Sequence, residues 1–525
     1  MKRFIVPMMI GASIATGAVA NEDVAAQLAE MKKQIAELKA AQAAIDVDAL
    51  KRQIAEVKAH DAGDNIKFDI DYQTNYDMID YKLQDGSSVD NSAIWSHKLT
   101  LGMGAQPLNN LVFKGALSMN KLFGNNTSAG VNAFQNYDWY SNTQPSDNIV
   151  RVKEAYFLYF GEMGDVPYTA SFGRRPSVDG FMTNLRADNP HPASPVGHNI
   201  SMEFDGASFK FDMEKVTDIS GLYFKICLGR GNSDSDARYP SFTGYMGSNL
   251  TMMDMMQAQT PYANSDFDSP DMDLAGLLVQ LYDDGQYKVM ANYFQGWNMM
   301  GANFTRTSAG SVTVAEPTMA YLNDDTFAVN MTDVGDMSGG SLSLQVNGIG
   351  NEISDFLDDS VFFASYAFMK TDPKGTHATF NSIVANDFLA PSDQVTEMLG
   401  SADSENGYSY YVGLNVPGFM ENDRIGFEYN HGSKYWRSFT YGEDTLVGSK
   451  LATRGDAYEV YYTLPLLAKN LTAQLRYTYI DYDYTGSDMF FGSTGTPLSM
   501  AEAAAQGMNP VESAQNLRLT LRYRY

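Results

Sequence analysis

NLRLTLRYRY, residues 516–525, sorts its side chains by parity. Leu517, Leu519, Leu521, Tyr523 and Tyr525 fall on one side; Arg518, Thr520, Arg522 and Arg524 fall on the other. A period of two is the signature of a β-strand, here with one apolar and one cationic face. A strand of about ten residues can lie at the edge of a soluble sheet, and it can also cross a bilayer when tilted. Alternation alone does not separate these readings, so the rest of the chain has to.

The same pattern recurs along the chain. Ile66, Phe68, Ile70 and Tyr72 alternate with Lys67, Asp69 and Asp71, and Leu471, Ala473, Leu475, Tyr477 and Tyr479 keep one parity near the other end. The pattern places strands near 65–74, 94–104, 110–120, 149–160, 167–175, 199–212, 220–229, 273–282, 286–297, 338–348, 360–370, 408–416, 423–432, 456–464, 470–484 and 515–525. The connections then alternate short and long, the short ones including QPLNN, PGFMEN and PLLAKN. Ordinary domains rarely tolerate structureless loops beyond about 15 residues, whereas short turns on one side and long loops on the other characterise an outer-membrane barrel. The expected fold is therefore all-β: a transmembrane β-barrel of about 16 antiparallel strands. Within it, the parity change at Asp205-Gly206 reads as a bulge in 199–212. Thr326–Met331 reads as loop, because an extra strand pair would spoil the alternation. IVRVKEAYFLYF (149–160) carries apolar residues on both parities and has no assigned face.

Two segments precede the barrel. MKRFIVPMMIGASIATGAVA (1–20) has a basic start, an apolar core and an Ala18-Val19-Ala20 cleavage site, which reads as a secretory signal. Residues 21–61 lack the period of two. Val24, Leu28, Met31, Ile35, Leu38, Gln42 and Ile45 follow heptad spacing, so this segment is expected to be a short α-helical coiled coil in the periplasm. The barrel would occupy 62–525. The net charge of −26 argues against nucleic acid, whose phosphates it would repel. Cys227 is the single cysteine, which excludes an internal disulfide and a C-x-x-C-H haem attachment, and no cofactor is expected.

Signal, heptads, sixteen-strand pattern and terminal aromatic together resemble trimeric outer-membrane porins with an N-terminal coiled coil, such as carbohydrate- and phosphate-selective porins. RVKEAYFLYF (151–160), SFGRRPS (171–177), MEFDGASF (202–209) and YDYTGS (482–487) are similar to motifs of an uncharacterised family of large exported barrel proteins. GRRP also resembles the strand-end G-R-Q of alginate-export-type porins. The resemblance implies a bacterial outer-membrane location, contact with outer-membrane lipid, and a homotrimer joined through coil and barrel walls. Tyr525 resembles the terminal aromatic by which barrel-assembly machinery recognises its clients.

A sixteen-strand barrel is wide enough for an aqueous lumen. By parity, the inward cations and expected pore-lining residues are Lys67, Lys98, Lys114, Arg175, Lys225, Lys288, Arg476, Arg518, Arg522 and Arg524, and the inward acids are Asp69, Asp71, Glu203, Glu428 and Glu459. A cationic wall under acidic loops points to passive diffusion of small hydrophilic solutes with a weak anion preference. The alternatives are a non-conducting structural or adhesive barrel, and a sheath around a partner protein. Catalysis is not expected: no G-x-S-x-G frames a serine, no H-E-x-x-H occurs, and the six histidines are scattered. The Met-rich stretch 245–256 and Met299-Met300 read as adaptable apolar packing, and NSDSD (232–236) and DFDSPDMD (266–273) as solvated acidic surface rather than metal sites.

Overall fold

A computed structural model of the chain describes residues 66–525 apart from 125–144, 176–179, 190, 195–196, 202, 234–269, 309–325, 351–352, 375–377, 380–394, 397–398, 441–444, 468–469 and 488–495. The expected signal and coiled coil, and the Met-rich stretch 245–256, lie outside the described residues.

Sixteen antiparallel strands close into one barrel. They are β1 (Lys67–Leu83), β2 (Ser88–Leu108), β3 (Leu111–Leu122), β4 (Arg151–Met163), β5 (Val166–Arg175), β6 (Phe204–Asp212), β7 (Tyr223–Asn232) and β8 (Met272–Asp283). There follow β9 (Tyr287–Ser308), β10 (Thr326–Asn347), β11 (Val361–Pro373), β12 (Asn406–Pro417), β13 (Arg424–Gly432), β14 (Gly455–Leu467), β15 (Leu471–Tyr482) and β16 (Val511–Arg524). A two-residue ladder, Ala378–Thr379 with Val395–Thr396, lies outside the ring. Closure falls to the terminal strand. β16 pairs with β1 from Asp71↔Arg524 to Leu83↔Val511, and Ile70 and Tyr525 exchange backbone N–H···O bonds of 2.9 Å. The alternating strand thus removes the last free sheet edge, which hydrocarbon would not tolerate.

The two faces are inverted relative to a soluble protein. Tyr366, Tyr408, Phe427, Val460, Leu475, Leu519 and Leu521 are exposed on the outside, whereas Glu428, Asn430, Glu459, Arg476, Arg518 and Thr520 are buried inside. Apolar-out, polar-in alternation is what a barrel wall facing lipid requires. Aromatic rings band the exterior. At the end opposite the chain's C-terminus, Tyr366, Tyr408, His431, Tyr410, Tyr429, Tyr458 and Tyr479 run ring to ring at centroid spacings of 4.9 to 6.4 Å. At the other end, Tyr168 meets Phe211 at 6.5 Å and Phe211 stacks on Phe224 at 5.1 Å.

Every expected strand has a counterpart, with four corrections of extent and register. The expected long loop between the first two strands is largely strand: β1 and β2 continue to a tight turn, where Leu83 N–H donates to the Ser87 carbonyl at 2.8 Å and Gly86 takes φ +85°. Thr326–Met331 is the start of β10, paired to β9 with register shifts between Asp333 and Met337. β5 and β6 pair without interruption from Arg175↔Phe204, so there is no bulge at Asp205-Gly206. The parity breaks there because residues before Phe204 belong to a loop, whose Ile200 bridges to Phe439. In β4 the register skips Lys153, since Leu117 pairs with Val152 and Ala116 with Glu154. That bulge explains the mixed parity: Val152 faces out before it, and Phe157 and Tyr159 face out after it.

Candidate pore and its constriction

Among the described residues, two connections are seen to reach deep into the lumen. The first joins β5 to β6. β5 stands five places round the ring from β16 and six from β15, so a segment that leaves β5 and touches β15 and β16 must cross the interior. Residues 180–189 do this. Phe181 and Met182 are buried against Met290, Phe363, Tyr411 and Leu451. Gln474 on β15 donates to the Arg186 carbonyl at 2.8 Å, and Arg522 and Arg524 on β16 both donate to the Ala187 carbonyl, Arg524 at 2.8 Å. Met182 (φ 77°) and Asp188 (φ 49°) adopt left-handed backbone, strained for residues with a Cβ and sustained here by these anchors. Further along, His198 bridges the inward hydroxyls of Ser365 (2.8 Å) and Ser409 (2.9 Å) between the rings of Tyr411 and Trp436. Complete burial lowers its pKa to about 3, so the ring is neutral and donates through one nitrogen while accepting through the other.

The second inbound connection joins β13 to β14. Its Phe439 accepts from Ser201 N–H at 2.6 Å and donates to the Asn199 carbonyl at 3.0 Å, which zips the two loops together. The indole of Trp436 donates to the Leu451 carbonyl at 2.7 Å. The electrostatic centre is Lys450. Glu428 and Glu459 face each other in register across β13 and β14, an arrangement of like charges that is unfavourable alone. Lys450 enters between them, bonding Glu428 and, at 2.7 Å, Glu459. Tyr411 donates to Glu428 at 2.6 Å and Thr478 to Glu459 at 2.8 Å, completing a fully buried network.

The sequence-derived cations fall into separate groups. On one wall, Arg518 pairs with Asp77 at 2.7 Å, Arg522 grips Asp71, Arg524 meets Asp188 at 3.3 Å, and Arg476 lies 3.9 Å from Glu459. On the opposite wall, Arg175 donates to the Ala207 carbonyl at 3.0 Å and Lys225 shares a cavity with it. Lys288 pairs with Asp283 at 3.3 Å and lies over the Phe181 ring. Lys98 stands opposite Gln73, Lys114 opposite Gly104 and exposed, and Lys67 exposed at the start of β1. Of the acids, Glu203 is held by Lys153 at 2.5 Å and Asp69 packs against Gly102. Asp77, His198 and Lys450 escaped the sequence reading: Asp77 lies beyond the expected end of the first strand, and the other two come from loops that have no period.

The model of the family described as Protein of unknown function (DUF3373) matches residues 88–525. This chain belongs to that family. No curated protein matches the sequence. Among solved structures, the DUF3373 barrel is similar to Pseudomonas putida OprB at high pH, with 13% identity over 90% of this chain and 96% of that one and a TM-score of 0.44. It is similar to an anion-selective porin from Comamonas acidovorans, with 10% identity over 88% and 99% and a TM-score of 0.42. It is also similar to the trimer form of OmpT from Vibrio cholerae, with 11% identity over 88% and 100% and a TM-score of 0.39.

Among the described residues of the DUF3373 barrel, no cluster of three or more His, Cys, Asp or Glu side chains could hold a metal. The Ser365–His198–Ser409 contact brings hydroxyls and imidazole together, but a general base works best with a pKa near the operating pH, and His198 is pushed far below it. The contact anchors a loop. Met299 and Met300 pack with Met272, Met337, Met369, Trp436 and Phe439 in an apolar mass inside β8–β11. Flexible thioethers suit the irregular gap between a curved wall and an inbound loop.

Proposed function

We propose that the protein is an outer-membrane porin that passes small hydrophilic solutes by passive diffusion, through a lumen narrowed by the two inbound loops and weakly selective for anions. One observation carries this reading: a closed sixteen-strand wall with its apolar residues outside and its charged residues inside. A soluble barrel would bury the leucines and tyrosines that this one exposes. The crossing segment 180–189 and the Lys450 network divide the lumen, so the expected conductance is below that of an open barrel of the same strand number. Purified full-length protein in planar bilayers should give discrete conductance steps, with reversal potentials favouring chloride over potassium. A homotrimer is expected, visible as a higher-mass band in unheated detergent gels.

The second reading, a non-conducting structural barrel, has its own support: the inbound loops pack as tightly as a protein core, with Met182, Trp436 and Phe439 essentially inaccessible. Bilayers that incorporate the folded protein without any conductance steps would establish it in place of the first.

A further inference from the structure

The inward faces of β5 to β9 and the inbound segment near Ser194 and Ile200 enclose a cavity of about 90 Å³. Two cations reach it, Arg175 and Lys225, and no carboxylate among the described residues lines it. The Nε of Arg175 is buried without an acceptor. Lys225 stands in register with a second lysine, Lys210, whose own charge is taken by Asp212 at 2.6 Å. The charged neighbours of Lys225 include Arg175 and Lys210, which repel it. Buried cations without a counter-charge are costly, and elsewhere in this lumen Arg518, Arg522, Arg524 and Lys450 each have an acid. The remaining lining is mostly apolar, chiefly Leu274, Leu278 and Phe294, with Ser194 and Asn292 as its polar side chains.

We propose that this cavity binds a small organic carboxylate, its head on Arg175 and Lys225 and its hydrocarbon tail against Leu274, Leu278 and Phe294. The inference rests on the reading of the barrel as an anion-preferring channel and names the solute class that the channel retains. Two cations on one side of the cavity match the two oxygens of one carboxylate, with Arg175 offering a planar fork and Lys225 a point charge. Inorganic phosphate fits worse, because it would press a fully hydrated face on Leu274 and Phe294. Since an apolar cavity of about 150 Å³ takes benzene, this one suits a tail of about two to four carbons.

Cys227 lines the same cavity and is the chain's single cysteine, which supplies a reporter. Full-length protein in detergent is treated with an anionic methanethiosulfonate, and the labelling rate of Cys227 is followed with butyrate, butyramide or inorganic phosphate present. Calorimetric titration of the same three compounds runs in parallel, and conductance is recorded from the same preparation. Butyrate at ten times its dissociation constant should slow labelling about tenfold, and butyramide should not. Lys225→Gln and Arg175→Gln, each checked for the unheated-gel mobility of a folded barrel, should lose the protection. Conductance with no butyrate protection and no binding heat overturns the carboxylate site and leaves the porin reading standing. Protection without conductance supports the site and overturns the porin. Protection by phosphate equal to that by butyrate overturns the tail assignment.

Discussion

The two sides of this lumen treat positive charge differently. On the wall made by β13 to β16 and β1, four inward arginines meet acids, Arg518 with Asp77, Arg522 with Asp71, Arg524 with Asp188 and Arg476 with Glu459, while Arg424 bonds the Asn415 side chain and the Asn415 and Asp359 carbonyls. Lys450 adds a loop cation between two wall acids. On the wall made by β5 to β9, Arg175 and Lys225 open into a cavity that no carboxylate among the described residues lines. Paired charge inside a barrel is cement, since it fixes the inbound loops and cancels its own field. Charge left without an acid is costly to the fold and open to a solute. The same residue types at the same parity therefore do two jobs, and what separates them is the neighbour.

The sharpest way to break that contrast is Lys450→Met. It leaves Glu428 and Glu459 facing each other in a buried site, which should cost about 3–5 kcal/mol. The expected outcome is a lower unfolding midpoint in detergent and larger or noisier conductance as residues 433–454 come away from the wall. Adding Glu459→Gln should recover part of the midpoint. Unchanged conductance and midpoint would mean that the network does not hold the loop.

Acid comes next. The folded pKa of His198 is depressed to about 3, below its ordinary value of 6.5, so the folded state resists protonation. The associated stability is fully present above about pH 6.5 and is lost progressively as pH falls towards 3, reaching on the order of a few kcal/mol. Limited proteolysis between pH 7.5 and 4.5 should show the β5–β6 connection opening at the acid end. His198→Gln should flatten that dependence. A smaller effect is expected from Arg522→Gln, which removes one of two donors to the Ala187 carbonyl and the two-pronged grip on Asp71, while Arg524 keeps the other donor to Ala187 and stays 3.7 Å from Asp71. The expected loss is about 1–2 kcal/mol, read as added current noise from segment 180–189 rather than unfolding.

The strand positions were legible because a wall that is apolar outside and polar inside imposes a period of two. Where the outer face is apolar throughout, as at Leu517, Leu519 and Leu521, the pattern is plain and the strand falls where it is expected. The second half of β1, with Asp77 and Asp80, loses the pattern because its register with β2 shifts between Asp77 and Ile79. The start of β10 read as loop because an extra strand pair would have spoiled the alternation of short and long connections, whereas it only lengthens β10. The bulge at Lys153 hid the orientation of β4 by shifting its parity midway. Within the lumen, parity put Glu428, Glu459 and Arg476 on the inside, but parity carries no information about partners. The pairing of Glu428 opposite Glu459 requires a cation, and that cation, Lys450, sits in a loop whose sequence follows no repeat. The burial of His198 is invisible for the same reason.

The smallest effect on stability, and the most specific test of the contrast, comes from comparing Lys225→Gln with the double substitution Arg518→Gln, Asp77→Asn. No acid among the described residues lines the Lys225 cavity, so replacing Lys225 should change stability by less than about 1 kcal/mol. Replacing it also removes net positive charge from the solute path, so the reversal potential in a salt gradient should move towards zero. The double substitution deletes a bonded couple, 2.7 Å apart, and removes no net charge. It should disturb the wall locally and leave the reversal potential where it was. If the double substitution shifts selectivity and Lys225→Gln does not, then the paired wall, rather than the open one, sets the field that a passing ion feels, and the division of labour between the two walls is reversed.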